Sequence, residues 1–376
     1  MSKLITIIIL FITTVSIVSV MQSIDFEFTY AQQEQEQIQP NQTTNSDYSQ
    51  NIDDNIFTTL REGNAILSLS NNQTWSAGPD MTYIDTTIDG ETVIASSGDN
   101  HVYIFNNNEL IAKIKVGETP RGVKISPDEK YALVANEVSG TISIIDFKNM
   151  TVIKEVPVGK IPHNIVFSTD YNDNNKKLAY ITMQGEDKII IMDMNTFDKV
   201  GEIAVSKGPH NLDITPDGKY LFVANAGSSD VAVIDNANKQ VIKTIPVRTG
   251  HHGIDVSPDG KMVYVSGIGS DKVNVIDPIK LELVKQIDVG NGPHGIRTGS
   301  DGKLLYVDVT STNKVVLIDT EQLKIINYIN TGKSPFWIAI PNNSWINLFI
   351  NILIFESRNP HSMDKGSNPN PRINLF

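Results

Sequence analysis

The stretch Gly253–Val289 reads GIDVSPDGKMVYVSGIGSDKVNVIDPIKLELVKQIDV. GIDVS is a short apolar run rich in β-branched residues. SPDGK, Ser257–Lys261, is a tight turn in which proline fixes φ and Gly260 supplies a positive φ. MVYVSG gives a second strand and GSDK turns the chain again. VNVID alternates as a third strand, and PIKLELVKQIDV supplies a turn and a fourth. No convincing 3.6-residue period runs through this region.

The same unit recurs along the chain. Aligning its opening turn puts Asp80, Arg121, His163, His210, His252, His294 and Phe336 in equivalent positions, at spacings of 41, 42, 47, 42, 42 and 42 residues. The long interval contains DYNDNNKK, 170–177, a polar loop insertion. A period near 42 with four short strands per unit is the pattern of a β-propeller blade. The turn returns as SPDEK at 126, TPDGK at 215 and GSDGK at 299, and the third strand closes on Asp146, Asp193, Asp235, Asp277 and Asp319. A carboxylate there is expected to accept N–H bonds from the following turn.

Six full units run from Asp80 to Pro335, and a seventh begins at PFWIAI and stops near Asn343. The segment Asn55–Gly78 holds two or three further strand-like runs. The expected fold is therefore all-β: a seven-bladed β-propeller of four-stranded blades over 55–343, its ring closed by strands from both chain ends. Closure removes exposed sheet edges. Six blades and a loose strand is the alternative.

Outside the repeats the chain changes character. Leu4–Val20 is apolar behind a single lysine, with a cleavage point after Ala31. Residues 1–31 read as a secretory signal peptide, or as an uncleaved N-terminal anchor. Residues 32–54, rich in Gln, Asn and acidic groups, read as a disordered polar spacer. Residues 344–376 form an irregular tail whose apolar run INLFINILIF is too short to span a bilayer. These features predict an extracellular or cell-surface protein. Contact with a membrane is expected only through an uncleaved anchor.

Composition closes several routes. The formal net charge is −12, and no basic cluster is present, so nucleic acid is not an expected partner. The chain has no cysteine, which excludes disulfides, thiolate metal sites and thiol nucleophiles. No G-x-S-x-G, Walker or H-E-x-x-H pattern occurs.

KYLFVANAGSSDVAVID (Lys219–Asp235), KMVYVSGIGSDKVNVID and KLLYVDVTSTNKVVLID resemble the YVTN family of β-propeller repeats. The resemblance covers roughly residues 78–342, with literal departures at YALVANE, AYITMQG, YVSG and YVDV. It implies a surface-layer-associated binding or scaffold module, with a cell-surface protein or glycan as partner. The repeats are also similar to the N-terminal propeller of nitrous oxide reductase. That enzyme's cupredoxin domain and its cysteines are missing here.

In a propeller the first strand of each blade lines the channel, so the seven aligned turns converge on one mouth. A candidate ligand site there comprises Asp80, Arg121, His163, His210, His251, His252, His294 and Phe336. Imidazoles bind copper or zinc without thiolates, so His163, His210, His252 and His294 are the candidate metal ligands. Arg121 with protonated histidines is a candidate seat for a small anionic ligand. The structural reading is that Pro-His-Gly is a good turn and the imidazole hydrogen-bonds a carbonyl of the adjacent blade. The expectation is a binding or scaffold protein rather than an enzyme. A metal-dependent redox protein and a lactonase-like hydrolase are the alternatives.

Overall fold

The computed structural model describes residues 55–169, 177–247 and 250–341. The signal or anchor at 1–31, the spacer at 32–54 and the tail at 344–376 lie outside the described residues, as does most of the 170–177 insertion. Among the described residues no helix is long and apolar enough to cross a membrane.

Among the described residues twenty-eight strands, β1–β28 in chain order, form seven four-stranded antiparallel sheets, with one 3₁₀ turn at Thr310–Thr312. Six sheets are built from consecutive strands. The seventh has the order β28 (Pro335–Ala339), β1 (Phe57–Leu60), β2 (Ala65–Ser68), β3 (Thr74–Ser76). This is the ring closure expected from the sequence. Phe57 pairs with Ala339 and Thr58 with Ile338, and a bulge then brings Leu60 opposite Pro335. The six-blade alternative is thereby set aside.

The strands alternate, yet both of their faces are buried. In KVNVID the four central residues are all inaccessible, because each blade is sandwiched between two others. The core accordingly lies between blades. Phe222, Ala224, Val231 and Val233 of one blade pack against Ile254, Val256, Val263 and Val265 of the next. Burial at roughly 25 cal/mol per Å² of apolar surface is what holds sheet on sheet.

The turns behave as the motif demands. Gly260 has φ +68°, and Glu129 takes the same left-handed place in SPDEK at φ +52°. The third-strand aspartates cap the following turn. Asn149 N–H reaches Asp146 at 2.8 Å, Asn195 N–H reaches Asp193 at 2.7 Å and Ile279 N–H reaches Asp277 at 2.9 Å.

Ring closure carries a direct prediction. β28 buries Phe336 and Trp337, and losing such a ring from a core costs about 3–5 kcal/mol each. A chain ending at Pro341 should melt cooperatively in calorimetry. A chain ending at Ser334 should lose the cooperative transition or melt far lower, and equal melting of the two would refute closure by β28.

Candidate functional site: the channel and its two ends

The innermost strands are β4 (Ile84–Thr86), β8 (Pro120–Ile125), β12 (Pro162–Phe167), β16 (Pro209–Ile214), β20 (His251–Val256), β24 (Pro293–Thr298) and β28. Each packs on the next around the channel. Register against the second strands aligns Asp85, Lys124, Val166, Asp213, Asp255, Arg297 and Ala339 as one ring. Three residues earlier stand Thr82, Arg121, His163, His210, His252, His294 and Phe336.

Asp80 is therefore not a member of the histidine ring. The lead-in to β4 differs, and Thr82, 1% exposed, holds the position two residues on. Asp80 instead ion-pairs with Arg61 at the surface, and the Arg61 guanidinium lies 5.0 Å over the Phe336 ring. Asp80 thus meets the site only through Arg61, a residue that nothing in the repeat pattern marks.

The histidines are buried in the channel wall rather than displayed at a mouth. His163, His210 and His294 are 5%, 6% and 2% exposed. His294 Nδ1 lies 2.8 Å from the Phe336 carbonyl, and His163 Nδ1 lies 3.2 Å from the His210 carbonyl. A carbonyl only accepts, so these two bonds are made with the proton on Nδ1. His163 Nδ1 also lies 3.4 Å from the Tyr83 hydroxyl, and His210 Nδ1 instead lies 2.9 Å from the side-chain amide of Asn211. His163 and His294 each tie their blade to the next, as the structural reading expects. The His163 and His210 rings lie 3.7 Å apart, and His294 stacks on Phe336 at 3.8 Å. Tyr83 meets His163 edge-on at 5.4 Å and Trp337 at 4.5 Å. The side chains of His251 and His252 lie outside the described residues.

Hydroxyls reinforce the same joints. Thr59, Ser96 and Thr182 donate to the carbonyls of Thr82, Arg121 and His210, at 2.6, 2.7 and 2.9 Å, and Ser266 donates to that of His294. Asp308 occupies the equivalent place in the next blade. It is fully buried, and the Thr58 hydroxyl donates to it at 3.0 Å. Burial holds its carboxyl well above the usual range. Arg121 is engaged by Glu137 at 2.6 Å, a partner one strand away that the sequence did not single out. The cation proposed for anion binding is thus already paired.

The opposite end of the channel is open. A cavity of about 380 Å³ is lined by Asp85, Lys124, Asp213, Asp255 and Arg297, with prolines at its rim. Lys124 pairs with Asp85 at 2.8 Å, and Arg297 reaches Asp255 at 3.4 Å and lies 5.1 Å over the Trp337 indole. Each aspartate also accepts a backbone N–H from the next blade. Ile125 donates to Asp85 at 2.8 Å, Val256 to Asp213 at 2.8 Å and Thr298 to Asp255 at 2.7 Å. Burial pushes the Asp255 carboxyl up to about 6 against the pull of Arg297. Burial likewise raises Asp213, opposed by the more distant Arg297. The signal for this ring was in the sequence: one charged residue in each of GVKIS, NLDIT, GIDVS and GIRTG, inside otherwise apolar strands.

The fold and the channel define a class: a seven-bladed propeller whose inner strands carry a histidine ring at one end and a charged ring at the other. The chain belongs to the family described as cytochrome D1 heme domain, which matches residues 89–243 and 221–336. The YVTN and surface-layer resemblance read from the repeats is thus supported only as far as a propeller family. Solved structures share the fold. Hydrazine synthase of Kuenenia stuttgartiensis is 23% identical, with TM-score 0.62 over 70% of this chain and 90% of that one. A functionally unknown protein from Desulfotomaculum acetoxidans DSM 771 is 17% identical, with TM-score 0.65 over 76% of this chain and 98% of that one. Dihydro-heme d1 dehydrogenase NirN in complex with DHE is 16% identical, with TM-score 0.59 over 82% of this chain and 80% of that one. No functionally curated protein matches the chain.

The family description raises the question of haem. Haem iron takes His, Met, Cys or Tyr as axial ligand. The cavity lining contains none of these. At the other end His163, His210 and His294 are packed ring on ring with aromatic neighbours, which leaves no slot for a planar macrocycle between them. Among the described residues, then, the channel does not fit a haem. No group of three His, Asp or Glu side chains is placed to hold a metal ion among them either.

Two outcomes are expected. His294→Ala leaves the Phe336 carbonyl without its imidazole donor and opens a void beside the stacked ring, for a loss of about 2–4 kcal/mol in urea unfolding. A loss below about 0.5 kcal/mol would contradict the clasp role. The Asp255 carboxyl binds its proton more tightly folded than unfolded. The stability it contributes is full below about pH 4 and is lost as pH rises through about 6. Stability of wild type relative to Asp255→Asn should fall across that window, and a flat difference would refute the shift.

Proposed function

We propose that this chain is an exported, non-enzymatic binding propeller that takes a small molecule in the channel cavity, and that it does so without haem. The observation that carries this reading is the contrast between the two channel ends. At one, His163, His210 and His294 are buried, and His163 and His294 are bonded through Nδ1 to a carbonyl of the next blade. The other opens on about 380 Å³ lined by charged side chains, within the size range of small-ligand pockets. An imidazole bonded to a carbonyl through Nδ1–H still offers Nε2 to a metal, but among the described residues no group of three His, Asp or Glu side chains is placed to hold one. A hydrolase would need a free carboxylate base at that end, and Glu137 is held by Arg121.

Export rests on the apolar segment Leu4–Val20, and display away from a surface rests on the polar stretch 32–54. A surface-layer role and a protein or glycan partner are compatible with that placement.

Haemin titration of the full chain, followed by Soret absorbance, tests the reading. The expected result is no saturable spectral shift at equimolar haemin. Stoichiometric uptake with a defined Soret band that disappears in His163→Ala would overturn it.

A further inference from the structure

We propose that the channel cavity binds a small organic ammonium ion, a primary amine with a short apolar body, whose charge is held by Asp213. This rests on the reading of the chain as a small-molecule-binding propeller.

The argument is one of charge balance. Five of the seven ring positions are charged. Lys124 neutralises Asp85, and Arg297 neutralises Asp255. Asp213 is left over: among the described residues no cation lies within ion-pair distance of it. It is half-buried in the channel wall and lines the cavity. Its oxygens accept the Ile214 N–H at 2.9 Å and the Val256 N–H at 2.8 Å, two of the roughly four acceptor sites a carboxylate offers. Glu129 adds a second acidic group near the rim. A half-buried carboxylate without a cation beside it carries a desolvation cost, and a cationic ligand relieves that cost.

The chemistry selects among cations. A divalent metal wants six or more oxygen ligands for calcium, or a rigid octahedron for magnesium, and no group of three His, Asp or Glu side chains among the described residues is placed to supply them. An ammonium needs one carboxylate and hydrogen-bond acceptors for its three N–H groups. Beside Asp213 the ring position of the preceding blade is Val166, and the cavity wall continues through Ile165, Leu212 and Ile214. That wall suits a short alkyl body placed next to the charge. At about 380 Å³ the cavity lies at the small end of ligand pockets.

The test is isothermal titration of the full chain at low salt with n-butylammonium chloride, beside butyrate, tetramethylammonium and potassium chloride. Saturable binding of butylammonium is expected, with butyrate silent and tetramethylammonium, which lacks N–H donors, at least tenfold weaker. Asp213→Asn keeps an acceptor oxygen but removes the charge, and should weaken binding at least tenfold. Val166→Lys puts an ammonium of the chain's own beside Asp213 and should abolish binding. Val166 also packs in the core between blades, so Val166→Met, which changes the wall without adding charge, is the fold control and should retain binding. Asp198→Asn, on an outer strand, should bind as wild type. Binding unchanged in both Asp213→Asn and Val166→Lys overturns the proposal, and so does potassium matching butylammonium. Butyrate binding in place of butylammonium removes the ammonium inference and leaves the small-molecule propeller standing. Silence from every probe removes both.

Discussion

The blade-to-blade hydrogen bond is the constraint on which this molecule depends. In a closed ring no blade can shift without straining its two neighbours. Apolar packing between sheets is strong but not directional, so it cannot by itself fix their rotation about the channel. The polar side chains of the inner two strands do. Thr59, Ser96, Thr182 and Ser266 reach the next blade's carbonyl, and His163 and His294 do so through Nδ1. Asp85, Asp213 and Asp255 reach the next blade's N–H. Donors at one level and acceptors at the other fix the register between the β4 and β8 blades and between the β20 and β24 blades, and one of the two levels does so at most of the remaining interfaces.

This arrangement divides the channel. At the histidine level the imidazoles stack, and His163 and His294 spend their Nδ1–H on carbonyls of the next blade. At the carboxylate level each aspartate spends part of its capacity on the neighbouring blade, and Lys124 and Arg297 pair with two of the three. Structure and electrostatics thus share the same side chains. The family name points to haem, but fold does not carry function with it. The donor chemistry around this cavity is that of charge recognition, with no axial ligand among the lining residues.

Much of this was legible before any coordinates. Strands, turns and blade number follow from local chemistry repeated in register: β-branched alternation, the SPDG turn and the aspartate that caps the third strand. The closing blade was legible because PFWIAI is a first strand without its successors. The position of Asp80 was misread. β4 follows the closing blade through a lead-in of its own, and only pairing with β5 (Thr92–Ser97) shows Thr82 in the ring. The charged ring went unremarked because a single Asp, Lys or Arg in an apolar strand reads as noise until the strands are set around an axis. Arg61 and Glu137 were invisible for a deeper reason: their partners are set by tertiary contact, and no local spacing encodes them.

The central claim is that the channel histidines are clasps rather than ligands. The most direct test is the imidazole ¹⁵N spectrum of the chain labelled at histidine, which reports which ring nitrogen carries the proton. The account predicts Nδ1–H for His163 and His294, and Nε2 resonances that stay in place when zinc is added in stoichiometric amount. A proton on Nε2 in either ring, or a shift of both on adding metal, would contradict it.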